Sequence, residues 1–203
     1  MLQRPAPRLI LASASASRRA LLAAAGLRFD VQPADIDEAA VKRAARARGA
    51  SASDAALELA TLKARRIAER EPDAVVIGAD QILVRSGEWF DKPPSVAAAR
   101  EQLRALRGRS HVLATAVVCQ HGARWVWRHV AEPRLTMRGF SDDFLDDYLR
   151  AEGDDVTSTV GAYRLEGRGI HLFASVEGEH SAILGLPMLN LLAVLRDEMI
   201  LLK

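Results

Sequence analysis

The sequence predicts an α/β protein: a mixed β-sheet with helices packed on it, divided by a cleft. Three observations lead there. Apolar runs of strand length alternate with helix-period segments along the whole chain. Antiparallel hairpin patterns interrupt that alternation, which disfavours a purely parallel sheet. No repeat and no Ser/Gly/Pro tract separates independently folding parts, so residues 1–203 read as a single domain.

The elements follow in order. Leu9–Ala12 is a buried first strand, followed by a Ser/Ala turn and a helix over about Arg18–Ala25, ended by Gly26 at C′. Phe29 and Val31 suggest a short strand broken at Pro33. The acidic turn of Asp35, Asp37 and Glu38 then leads into an Arg/Ala helix that Gly49 stops after about Arg48. The next helix covers about Asp54–Glu69, with Ser51 or Ser53 as N-cap; Ala56, Leu59, Ala60 and Ile67 share one face, and Lys63 stands in the middle of it.

Val75–Val84 is the strongest strand, apolar on both faces apart from Asp80 and Gln81, and Ser86-Gly87 turns the chain. Helix Ser95–Arg107 buries Val96, Ala99, Leu103 and Leu106. Strands His111–Cys119 and Arg124–Ala131 form a hairpin, and Arg134–Arg138 adds a further strand. Ser141, with Asp142 and Asp143 complementing the dipole, starts a helix that ends near Arg150. Gly161–Gly178 reads as two strands with tight turns, and Pro187 opens a closing helix to about Leu201.

Composition narrows the function classes. The 203 residues are 49% hydrophobic and 27% charged, enough to bury a sizeable core, which excludes disorder for most of the chain. Against 28 Lys and Arg stand 26 Asp and Glu, a net +2 that gives no nucleic-acid footprint. The lone Cys119 excludes an intramolecular disulfide and a Cys-based zinc cluster, and the reducing cytoplasm is the expected compartment. No window resembles a membrane span, and no leader is expected at the N-terminus.

Asp80 is the first candidate for chemistry. A carboxylate inside a buried strand is costly unless it is paired, protonated, bound to a metal or satisfied by backbone donors. Lys63 poses the same question on the preceding helix, where a stem snorkelling from the edge is the plain alternative. The turn at Asp35, Asp37 and Glu38 reads equally as a solvated helix entry. Ser13 to Arg19 combines hydroxyls, small residues, a helix N-terminus and two guanidiniums, the parts of an anion site, although a capped helix would look the same and no Walker or GxGxxG pattern is present. Lys92 lies beside Pro93-Pro94, either held there or simply exposed. His111 and His180 lack metal-ligand spacing and read as structural, and Trp125 with Trp127 reads as a packed or subunit-facing surface.

Eight ordered segments carry a resemblance: LILASASASRRALL (9–22), IDE (36–38), LATLKA (59–64), GADQILV (78–84), DKP (91–93), GRSHVLATAVV (108–118), VGAYRLEGRG (160–169) and SAILGLP (181–187). Together they resemble the Maf family of nucleoside triphosphate pyrophosphatases, structural relatives of inosine triphosphatases. The resemblance implies two lobes around a central cleft. It also implies hydrolysis of a nucleoside triphosphate between the α- and β-phosphates, with Mg²⁺ or Mn²⁺, and a homodimer.

By position, the resemblance makes Asp80 the proton acceptor and, with Glu38, a metal ligand. It places Ser13, Arg18, Lys63 and Lys92 around the triphosphate. Base preference is implied at Ser17, Gln81 and Glu166, where Gln81 and Glu166 resemble the branch acting on 7-methyl-GTP. Ser17 stands where that branch has Trp, and Ala16 where the family usually has Pro. The rival reading is a non-catalytic nucleotide sensor that regulates cell division.

Overall fold

The computed structural model describes residues 2–202. Its eight-stranded mixed sheet runs in the order β2-β1-β3-β5-β7-β8, with β4 beside β3 and β6 beside β5. These strands are β1 (Arg8–Leu11), β2 (Asp30–Val31), β3 (Ala74–Arg85), β4 (Glu88–Phe90), β5 (Ser110–His121), β6 (Arg124–Ala131), β7 (Arg134–Met137) and β8 (Phe173–Glu177). The helices are α1 (Ala16–Ala24), α2 (Glu38–Ala47), α3 (Ala52–Ala68), α4 (Val96–Leu106), α5 (Asp142–Glu152), α6 (His180–Ile183) and α7 (Met188–Asp197). The α/β class and the mixed sheet read from the sequence are therefore what the chain forms. Among the described residues, no helix is long and apolar enough to cross a membrane.

The chain divides into two compact units. The first comprises the chain up to Asp80, Thr115–Ala131 and the segment from His180; the second comprises Gln81–Ala114 and Glu132–Glu179. In the first unit β1 pairs in parallel with both β2 and β3, while β6 pairs antiparallel with β5 across a bulge at Cys119/Gln120. Leu9, Leu11, Val75, Ile77, Val117 and Cys119 from the sheet pack with Leu22 of α1 and Leu191 and Leu195 of α7. Burial pushes the Cys119 thiol up to about 12, so it is an inert core residue. Trp127 packs against this core and stacks on His129, whereas Trp125 remains half exposed.

In the second unit β7 pairs antiparallel with β5 and β8. Its core includes Leu103 and Leu106 of α4, Leu145 of α5, Leu135 and Met137 of β7, and Leu172. His111, Tyr163 and Phe173 form a cluster of tilted and edge-on rings, in which His111 Nε2 meets Tyr163 Oη at 2.8 Å.

Serine caps explain most helix starts: Ser15, Ser51, Ser95 and Ser141 each accept a backbone N–H from the first turn of their helix. Ser51, not Ser53, is thus the cap of α3. Two expectations need correction. Gly161–Gly178 forms 3₁₀ turns at Val160–Ala162 and Arg168–Leu172 and one strand, β8, rather than two strands. Gly161 has φ +82, and its missing Cβ is required by Leu83 and Tyr163 on either side. The closing helix stops at Asp197, because Met199 takes φ +56 and Leu201 pairs with Gln3 instead.

Candidate active site

The first unit gathers a set of charged side chains that the apolar pattern of its elements could not accommodate singly. α3 turns Leu59, Ala60, Lys63 and Ala64 toward the interior, and all are buried. It packs on β3 at Gly78, where a Cβ would stand 2.2 Å from Ala60 O and 2.7 Å from Ala64 N. This close approach brings Lys63 Nζ to 2.6 Å from Asp80 Oδ1. The same ammonium lies 2.7 Å from Glu38 Oε1. Lys63 is 6% exposed and Asp80 5%, so the lysine is buried and paired and does not snorkel.

The acidic turn divides its labour. Asp37 is the N-cap of α2 and accepts the Ala40 N–H at 2.8 Å, leaving Glu38 in the first helical turn for Lys63. Burial of Glu38 favours its neutral form, but the charge and hydrogen bond of Lys63, then Lys42 and Arg18, outweigh it and hold the carboxyl below its ordinary value.

Arg18, in the first turn of α1, is buried. Its Nε donates to Gly185 O at 3.0 Å, and its Nη1 donates to Ala79 O at 2.8 Å and to Ser13 Oγ at 3.0 Å. One guanidinium thereby joins the end of the β1 loop, the residue before Asp80 and the turn after α6. Burial lowers its proton affinity, while Asp80 and then Glu38 raise it, so both carboxylates act on this cation. Ser13 Oγ also accepts the Ser15 N–H at 3.3 Å.

Ser13, Arg18, Glu38, Lys63 and Asp80 are therefore one cluster. The remaining sequence candidates are placed as follows. Ser17 is half-buried on α1, and Gln81 follows Asp80 on β3 and is half-buried. Lys92 is exposed after β4, and Glu166 is exposed in the turn before Gly167; both belong to the second unit. Gly78 and Gly185 do not stand out in the sequence as site residues. Gly185 has φ +108, and a Cβ there would come within 3.0 Å of Arg18 Nε, so the residue both turns the chain and leaves room for the guanidinium. In the sequence it is a glycine between two leucines, inside the segment SAILGLP.

The donor set fits a hard divalent cation. Asp80 Oδ2 is buried and has no hydrogen-bond partner among the described residues, and Glu38 adds carboxylate oxygen nearby through Lys63. No group of three or more His, Cys, Asp or Glu able to hold a metal occurs among the described residues. A buried ion pair rarely stabilises a fold more than an apolar pair of the same volume, so stability alone accounts poorly for this cluster.

A model of the Maf-like protein family matches residues 8–198. The chain is 52% identical over 191 residues to a nucleoside triphosphate pyrophosphatase of Granulibacter bethesdensis, covering 94% of this chain and 97% of that protein. It is 53% identical over 191 residues to a nucleoside triphosphate pyrophosphatase of Gluconobacter oxydans, covering 93% and 94%. It is 48% identical over 191 residues to a 7-methyl-GTP pyrophosphatase of Rhizobium meliloti, covering 94% and 96%.

Proposed function

The chain belongs to the Maf-like protein family, and from that premise we propose that it is a nucleoside triphosphate pyrophosphatase, cleaving between the α- and β-phosphates to give a monophosphate and pyrophosphate. The observation that carries this reading is the buried carboxylate of Asp80, bound through one oxygen to Lys63 and with no hydrogen-bond partner for its other oxygen among the described residues. Asp80 Oδ2 is the acceptor that orients an attacking water and takes its proton. Lys63 and Arg18 set two positive charges beside it, against the charge that develops on a phosphoryl group and on departing pyrophosphate. Arg18 acts through its charge and by holding Ser13 and the backbone at Ala79, since Nε and Nη1 are committed to protein acceptors.

Glu38 and Asp80 would hold the divalent cation, Mg²⁺ or Mn²⁺, which when bound neutralises phosphate oxygens. Ser13 and Lys92 complete the contacts to the triphosphate, by their match to the family's positions. Gln81 and Glu166 select the base, with Ser17 at the third position. The carboxylate of Glu166 accepts from guanine N1 and N2, and the 7-methyl-GTP pyrophosphatase of Rhizobium meliloti supports a methylated guanine nucleotide as the preferred substrate. Residues 1–203 form one functional domain, a reading supported by a single family match that spans both compact units. The enzyme works as a cytoplasmic homodimer on free nucleotides, without nucleic acid or a membrane.

Incubation with nucleoside triphosphates and Mg²⁺ or Mn²⁺ tests this reading. Equal yields of monophosphate and pyrophosphate are expected; tight nucleotide binding with no turnover would favour the sensor.

A further inference from the structure

Glu152 is the last residue of α5, where a carboxylate faces the negative end of the helix dipole. Its side chain is 1% exposed, yet both oxygens are taken by cations: Oε2 lies 2.9 Å from Arg164 Nη2, and Oε1 lies 3.2 Å from Arg168 Nη1. Arg164 Nη2 also meets Asp155 Oδ2 at 2.9 Å. A buried acid that works against a dipole and recruits two guanidiniums is expensive to keep, and the reaction proposed above does not use it.

The two arginines flank one tight turn. Gly167 N donates to Arg164 O at 3.1 Å, which puts Leu165 and Glu166 at the turn's centre, the first buried and the second exposed. The chain then folds back so closely that a Cβ on Gly169 would stand 2.4 Å from Arg164 O. Just upstream, Tyr148 of α5 donates its hydroxyl to Ala162 O at 3.2 Å. Helix α5 thus grips the segment at three points around Glu166. The hydrogen bond to Glu152 is the largest influence raising the Arg164 pKa, with the charges of Glu152, Asp155 and Glu166 adding to it, so Glu166 lies within electrostatic reach of the same guanidinium.

We propose that Glu152 is a positioning residue for base selection: it pins both ends of the turn through Arg164 and Arg168 and occupies Arg164, a competing partner for Glu166. The proposal rests on the base-reading role given to Glu166 above. Replacing Glu152 with Gln keeps the shape but removes the charge that holds both guanidiniums. The turn then loosens, and Arg164, left with Asp155 alone, can turn toward Glu166.

The test compares kcat and KM for 7-methyl-GTP, GTP and UTP in wild type, Glu152→Gln, Arg168→Gln and Glu166→Gln. In Glu152→Gln the ratio of kcat/KM for 7-methyl-GTP over UTP should fall by about tenfold, through KM, with kcat on UTP within about threefold of wild type. If Glu152→Gln does not fold, Arg168→Gln carries the test, since its side chain is 64% exposed, and the ratio should fall in the same direction by a smaller factor. A wild-type ratio in Glu152→Gln and Arg168→Gln, or an equal loss on all three nucleotides, overturns the proposal, while a lowered ratio in Glu166→Gln leaves the base-reading role standing. A ratio near one in wild type, or one unchanged in Glu166→Gln, instead overturns base reading itself, and the proposal with it.

Discussion

Lys63 Nζ lies 2.6 Å from Asp80 Oδ1, although the two residues sit on a helix and a strand and are separated by 17 positions. Each is a cost alone and a partner together, and Glu38 completes the group from the first turn of α2. The site is thereby tied to the packing of α3 on β3, and the two can be perturbed separately.

Lys63→Met leaves Asp80 buried without its hydrogen-bonded cation. The single variant should lose about 3–5 kcal/mol at pH 7, the usual cost of stranding one member of a buried pair. The double variant Lys63→Met/Asp80→Asn should lose less than the sum of the two singles. Urea midpoints of the four proteins measure this, and strict additivity would contradict the pairing.

Gly78→Ala places a methyl group against helix backbone, 2.2 Å from Ala60 O, where no side-chain rotation relieves the clash. Overpacking of this kind should cost about 3 kcal/mol or more, and whatever folds should have lower turnover because α3 must carry Lys63 away from Asp80. Gly139→Ala is the control, since a Cβ there meets nothing within 4 Å. Equal melting temperatures for the two variants would refute the close approach.

His111 is buried, its Nδ1 has no hydrogen-bond partner among the described residues, and burial pushes its pKa down to about 4 from an ordinary 6.5. The folded chain keeps it neutral where the unfolded chain takes up a proton. Stability is therefore intact above pH 6.5 and falls as the pH drops toward 4, by up to about 1.4 kcal/mol per unit from this residue. His111→Gln should be less stable at pH 7.5 and flatter between pH 6.5 and 4 in denaturant titrations. Parallel pH slopes would contradict this assignment.

Much of this was legible in the sequence because most of the chain obeys local rules. The apolar run at Val75–Val84 lies within β3, the helix expected at Asp54–Glu69 is α3 shifted by two residues at its start, and Gly26 and Gly49 end their helices with positive φ. Lys63 and Asp80 were visible as charges in apolar surroundings; that they meet was not, because Gly78 sets the approach and a glycine does not name its neighbour. The partners of Arg18 were hidden for a related reason: two of its three acceptors are backbone carbonyls, which no residue type reports. Gly161–Gly178 looks like strand in the sequence because its apolar residues pack from 3₁₀ turns, whose short runs have no period that distinguishes them from strand. The three-residue β4 and the four-residue α6 were too brief to leave a pattern.

Whether Asp80 is the group acting on the water is decided by pyrophosphate release from wild type and Asp80→Asn at saturating triphosphate and Mg²⁺. In the variant kcat should fall by about a hundredfold or more, with triphosphate binding partly retained. An Asp80→Asn protein that releases pyrophosphate as fast as wild type would contradict it.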